Sequence, residues 1–113
     1  MAEFKGTMYI VEIPYENGQV RFRYERYLSH DGTKWIRHGL FQAYHPNGQL
    51  ASEGLYEQGL ETGMWHDFHE NGQLAAEGHY EGGRRTGVWR FYDNEGRSES
   101  EEGRRTGSER FSD

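Results

Sequence analysis

The sequence contains no cysteine. A disulfide framework, a thiolate zinc site and a cysteine nucleophile are therefore excluded. Proline occurs twice, and lysine twice against eleven arginines. No apolar run approaches the roughly 18 residues that cross a membrane as a helix. The opening residues, MAEFKGTMYIVEIP, lack a charged region followed by a long apolar stretch, so no signal peptide is expected and a cytoplasmic protein is the default reading. Only 33% of the residues are hydrophobic and the net charge is −6. This balance argues against nucleic acid as the main ligand, because a basic face is its usual footprint. No stretch carries the 3.6-residue apolar period of an amphipathic helix.

The chain is rich in rings and glycines. Aromatic residues make up 15% of the chain, and there are 16 glycines. Glycine at this level without a collagen period suggests either disorder or many tight turns. The aromatic content speaks for turns, because disordered segments lack rings. Gly39, Gly63 and Gly87 are 24 residues apart, and so are Gly48, Gly72 and Gly96. The rings keep step as Phe41, Trp65 and Trp89, as Tyr44, Phe68 and Tyr92, and as Tyr56 and Tyr80. NGQLASEG at 47–54 returns as NGQLAAEG at 71–78. A fixed period of this length marks a repeat architecture.

Each unit reads as a β-hairpin. His45-Pro46-Asn47-Gly48 suits a type I turn, with Pro presetting φ and Gly taking the left-handed position of a G1 bulge. A second turn at Glu57-Gln58-Gly59 joins one hairpin to the next, and about seven residues between turns make a typical strand. Tyr15-Glu16-Asn17-Gly18 matches the turn in a divergent first unit. The next such glycine lies 30 residues on, which predicts an insertion in an extended hairpin carrying Asp31-Gly32. Residues 7–13 and 19–28 read as longer strands.

The 24-residue period, the G-x-W-x-x-F/Y element and N-G-Q-L-x-x-E-G-x-Y resemble MORN repeats, strongly over residues 39–96 and weakly over 15–38. The bacterial variant labelled as the antitoxin component of a toxin–antitoxin module is the most similar form. The resemblance implies an all-β, single-layer antiparallel meander, an open solenoid of repeated hairpins. The domain plan is then divergent hairpins at 1–38, repeats at 39–62, 63–86 and 87–102, and a polar cap or tail at 103–113. It also implies roles in protein assembly or phospholipid binding.

Strict alternation puts Trp65, Asp67 and His69 on one face and Met64, His66 and Phe68 on the other. Leu74, Ala76, Gly78 and Tyr80 share a face on the returning strand. Gly54 and Gly78, inside strands, make sense where a cross-strand ring lies over bare backbone. The tryptophans then act as staples between units.

The candidate chemistry is thin. His66 and His69, three apart on a strand, point to opposite faces. His45 and His69 occupy equivalent sites two strands, or about 9.5 Å, apart. Neither pair can share an ion at zinc–nitrogen distances of about 2 Å, and no metal or cofactor is expected. Glu53 and Glu77 form a ladder two strand spacings apart, with no cleft to perturb either carboxyl. No serine sits in a nucleophile motif, so no catalytic residues are assigned. Gly82-Gly83-Arg84-Arg85-Thr86-Gly87, echoed by Arg104 and Arg105, lacks the elements of a P-loop. It reads first as a solvated turn that keeps a sheet edge soluble and second as an anion or lipid contact.

A binding surface is what remains. Phe41, Trp65 and Trp89, with Asp67, Glu53 and Glu77, are expected to share one face and hold a protein partner. The resemblance makes an antitoxin or immunity partner of a toxin one form of that role. A phospholipid-associated adaptor is the alternative, and a homodimer through the sheet edges is a further possibility.

Overall fold

The computed structural model describes residues 6–101. Eight strands follow one another: β1 (Tyr9–Pro14), β2 (Val20–Leu28), β3 (Trp35–Tyr44), β4 (Leu50–Glu57), β5 (Leu60–Phe68), β6 (Leu74–Glu81), β7 (Arg84–Tyr92) and β8 (Ser98–Glu101). They form one sheet whose spatial order equals the chain order, and every neighbouring pair is antiparallel. Substantial contacts join only consecutive strands, so among the described residues no second layer covers either face. The all-β single-layer meander expected from the repeat is the observed fold. The expected cap at 103–113, with Arg104 and Arg105, lies outside the described residues.

Two kinds of turn alternate. At the Asn-Gly turns, the amide of Gly48 donates to the carbonyl of His45 at 2.9 Å, and the amide of His45 donates to that of Gln49 at 2.8 Å. Gly48 has φ of 90° and Gly72 has the same value. The side-chain oxygen of Asn47 accepts from the Gln49 amide at 2.9 Å, and Asn71 does the same for Gln73. These are the type I turns with a left-handed glycine that the sequence predicts. At the other end, Gln58 (φ 53°) and Gly59 (φ 88°) form a two-residue turn between β4 and β5 with both central residues left-handed. Gly82 and Gly83 repeat it between β6 and β7.

Gly72→Val is accordingly expected to destabilise the chain by about 1–3 kcal/mol, because a β-branched residue is strained at this φ. Chemical denaturation of the variant checks it. A midpoint within error of the parent's would contradict the turn geometry.

The sequence did not locate the bulges within the strands. Between β4 and β5 the register passes from Glu53↔His66 to Leu55↔Thr62, so β5 carries two extra residues there. The same shift recurs between β2 and β3 and between β6 and β7. Each bulged stretch contains one of the period glycines at positive φ: Gly39 (111°), Gly63 (74°) and Gly87 (70°). Such bulges raise the local twist of a sheet. Two extra residues preserve side-chain parity, so Trp65 and Asp67 remain together opposite Met64, His66 and Phe68. A one-residue shift beside the Asn-Gly turn acts differently. It pairs Leu74 with Phe68 while Ala76 pairs with Asp67. Leu74 therefore leaves the face of Ala76, Gly78 and Tyr80, contrary to the alternation expected for this strand.

One face is the core. Trp65, Tyr80 and Trp89 form the buried cluster, with Phe41, Tyr56 and Phe91 packed against it. Tyr56 and Tyr80 meet Trp65 edge-on at centroid distances of 5.5 and 5.8 Å, and Tyr80 meets Trp89 at 5.2 Å. The Trp65 ring lies over Gly54 and the Trp89 ring over Gly78, where a Cβ would fall inside the indole. The indole N–H of Trp89 donates to the carbonyl of His79 at 3.2 Å. A ring of this size buries about 150–250 Å², several kcal/mol at about 25 cal/mol per Å² before the cost of ordering.

The Asn-Gly end is tied across units. His45 Nε2 lies 2.7 Å from the Phe68 carbonyl, and His69 Nε2 lies 2.8 Å from that of Tyr92. Asn47 and Asn71 donate to the carbonyls of Glu70 and Asn94. The histidines thus join one repeat to the next. Asp93 replaces them one period later and accepts instead from the amides of its own turn, Glu95 and Arg97. The Arg97 amide, followed by that of Glu95 and by the Arg97 side chain, holds the Asp93 carboxyl below its ordinary pKa despite some opposing desolvation. A depressed carboxylate stabilises above its unfolded pKa and loses that contribution as pH falls through the folded value. Asp93→Asn is therefore expected to flatten the acid limb of thermal stability below about pH 4.

Candidate functional site

The face opposite the aromatic core is the exposed one. Cross-strand pairing lines up Glu12, Arg23, Gln42, Glu53, His66, Glu77 and Arg90 in a single row across seven strands. The row is tied internally. Arg23 Nε lies 3.4 Å from Glu12, Gln42 donates to Glu53 at 2.8 Å, and His66 Nε2 lies 3.5 Å from Glu77. The Tyr44 hydroxyl donates to Gln42 at 3.2 Å, and that of Tyr92 to Glu77 at 3.5 Å. The His66 ring stacks on Phe68. Glu53 and Glu77 are central in this row, with Glu12 and Arg23 at one end and Arg90 at the other.

A second row on the same face is largely aliphatic, interrupted by Glu25 on β2 and His79 on β6. Ile10, Leu40, Leu55, Met64 and Val88 are between 39% and 59% exposed. Leu40 stands directly opposite Leu55. Among the described residues nothing packs over these side chains. The face is therefore a charged row beside an aliphatic row, both running perpendicular to the strands.

This arrangement corrects the expected site. The rings and the acids do not share a face: Phe41 pairs with Gly54, whereas Glu53 pairs with Gln42 one position along. Trp65, Asp67 and Trp89 are 3%, 4% and 1% exposed. They are structural, and Asp67 accepts from the Ser52 hydroxyl at 2.7 Å inside the aromatic side. Phe41 is half-buried against Trp65 at 5.8 Å. Of the expected partner-binding set, only Glu53 and Glu77 lie on the open face. The signal that would have found it is the recurrence of Gln42, His66 and Arg90 at the same 24-residue step as the rings, one position after them.

Arg84 and Arg85 do not converge. Arg84 pairs with Glu81 and Arg85 with Tyr80, so their side chains leave opposite faces. The Arg85 guanidinium lies 5.0 Å from the Trp89 ring centre and belongs to the aromatic side. Glu53 and Glu77 flank His66 two strands apart, as the repeat spacing requires. Among the described residues, no group of three or more His, Asp or Glu could hold a metal ion. Among these residues no helix is long and apolar enough to cross a membrane.

Compared with known families, residues 37–58 and 61–81 match the model of the MORN repeat variant. No curated protein and no solved structure gives a significant match. The matched stretches comprise most of β3 to β6, the strands that carry Leu40, Gln42, Glu53, Leu55, Met64, His66 and Glu77. The match accords with the hairpin sheet and suggests a binding module.

Proposed function

We propose that the chain is a non-catalytic module that holds another protein across its charged face. The observation that carries the reading is the uncovered aliphatic row Ile10, Leu40, Leu55, Met64 and Val88 beside the Glu53–His66–Glu77 centre. Exposed aliphatic side chains rimmed by polar residues mark an interaction surface. The partner it fits presents aliphatic side chains with a basic flank. The central carboxylates select that charge and speed the encounter, an effect that weakens with salt. A cytoplasmic setting accords with the absence of cysteine.

An antitoxin or immunity role is one instance of this reading, the partner then being a toxic protein. Its mark is a captured partner that arrests growth alone and is silenced by co-expression. A phospholipid adaptor is less well supported, because Arg84 and Arg85 diverge and the net charge is −6.

The test is affinity capture from the native host, followed by binding measurements with the purified partner. Glu53→Lys with Glu77→Lys is expected to weaken binding at least about tenfold, or about 1.4 kcal/mol, with the melting curve retained. Leu55→Asp should act similarly. Arg84→Glu, at the start of β7 and away from the Glu53–His66–Glu77 centre, should change little. Solution mass in the same series reads any pairing of copies through β1 or β8, the outer strands of the described sheet. Sedimentation with anionic liposomes that depends on Arg84, together with unaltered capture by the Glu53/Glu77 variant, would favour the lipid reading instead.

A further inference from the structure

The long β2–β3 hairpin departs from the repeat period, and it builds something the repeats do not. Arg26 and Arg37 stand directly opposite each other on β2 and β3. Like charges in that relation repel. Neither arginine has a carboxylate partner among the described residues. Both are held instead by rings. The Arg26 guanidinium lies 4.0 Å from the centre of the Trp35 ring, and that of Arg37 lies 4.6 Å from the centre of Tyr24. Aromatic faces position a cation without neutralising it. The Nε of Arg26 is enclosed and has no hydrogen-bond partner.

These groups line one cavity of about 500 Å³, together with Lys34 and Gln58. Among the described residues no carboxylate lines it. Three cations around one hollow are conspicuous in a chain of net charge −6. The site is not repeated along the sheet, because Glu61 stands one period after Arg37. Lys34 comes from the stretch by which this hairpin exceeds the period. The cavity lies on the aromatic face, away from the proposed partner surface, so it stands or falls independently of that reading.

We infer that this pocket binds a soluble phosphate monoester. Guanidinium forks match the oxygens of phosphate bidentately, and Lys34 adds a point charge. Three cations suit a dianion better than a single carboxylate. The acidic chain as a whole works against adsorption to an anionic membrane, which favours a soluble source over a lipid head group.

The experiment titrates the ¹⁵N-labelled full chain with phosphoserine and with inorganic phosphate, at constant ionic strength, using acetate and chloride as controls. The expected result is saturable shifts of the Trp35 indole and of the amides of residues 34–37, with neither control reproducing them. Arg26→Gln and Arg37→Gln should each weaken binding about tenfold or more. Lys34→Gln, at an exposed position that should leave the fold untouched, should weaken it a few-fold. Arg23→Gln, on the other face, should leave it unchanged. Shifts that fail to saturate, that chloride reproduces, or that survive all three pocket variants overturn the inference. Arg26-dependent pelleting with phosphoinositide vesicles, without any response to phosphoserine, overturns it in favour of a lipid.

Discussion

Gly78→Ala is expected to cost about 3 kcal/mol, the upper end of the usual cost of overpacking a core. Gly78 sits inside β6 and its φ is not in the left-handed region, so the backbone itself accepts alanine. The cost comes from Trp89. Its indole lies flat on the Gly78 Cα, and an added methyl group would occupy the ring's own volume. Trp89 is 1% exposed, so the ring has no alternative site to move into without opening the sheet. A loss of this size in a chain of about 100 residues lowers the melting temperature by on the order of 20 °C. The coupling is the sharper readout. Gly78→Ala and Trp89→Ala remove the same contact, so the double variant should cost far less than the two singles combined. Additive losses would mean that the ring and the glycine act separately.

Trp65→Ala carries the second large effect, about 3–5 kcal/mol. The ring covers Gly54, meets Tyr56 and Tyr80 edge-on and lies 5.8 Å from Phe41. Its indole N–H is shared between the carbonyls of Leu55 and Thr62, both at 3.2 Å. Those two carbonyls flank the β4–β5 turn and the bulge at Gly63, so losing the ring also frees the bulge. Trp35→Ala is the matched control. Trp35 is 47% exposed, meets Tyr9 edge-on and lies against the Arg26 guanidinium at the start of β3. Its loss should cost no more than about 1 kcal/mol. Equal melting shifts for the two variants would contradict the staple role assigned to Trp65.

The sequence by itself determined the repeat, the turns and the staples. A turn that needs φ > 0 at one position can be written with few residues, so Asn47-Gly48 and Asn71-Gly72 announce themselves locally. The pairing of Gly54 with Trp65 and of Gly78 with Trp89 was legible for a similar reason: a glycine inside a strand is unfavourable unless something covers it. Which side chains face outward was a different matter. It depends on cross-strand register, and register is set jointly by two strands and by every bulge between them. The extra residue beside the Asn-Gly turn moved Leu74 to the other face, and the one-position offset between Phe41↔Gly54 and Gln42↔Glu53 separated the rings from the acids. The Arg26–Arg37 pocket was out of reach for the same reason, since the two residues are eleven apart in the chain and meet through the register that the 29–34 loop sets, next to the bulge at Gly39. A side-chain period of two makes every single-residue shift a change of face. Local chemistry in the sequence thus settled the turns and staples, while the accumulated register of eight strands decided which side chains each face exposes.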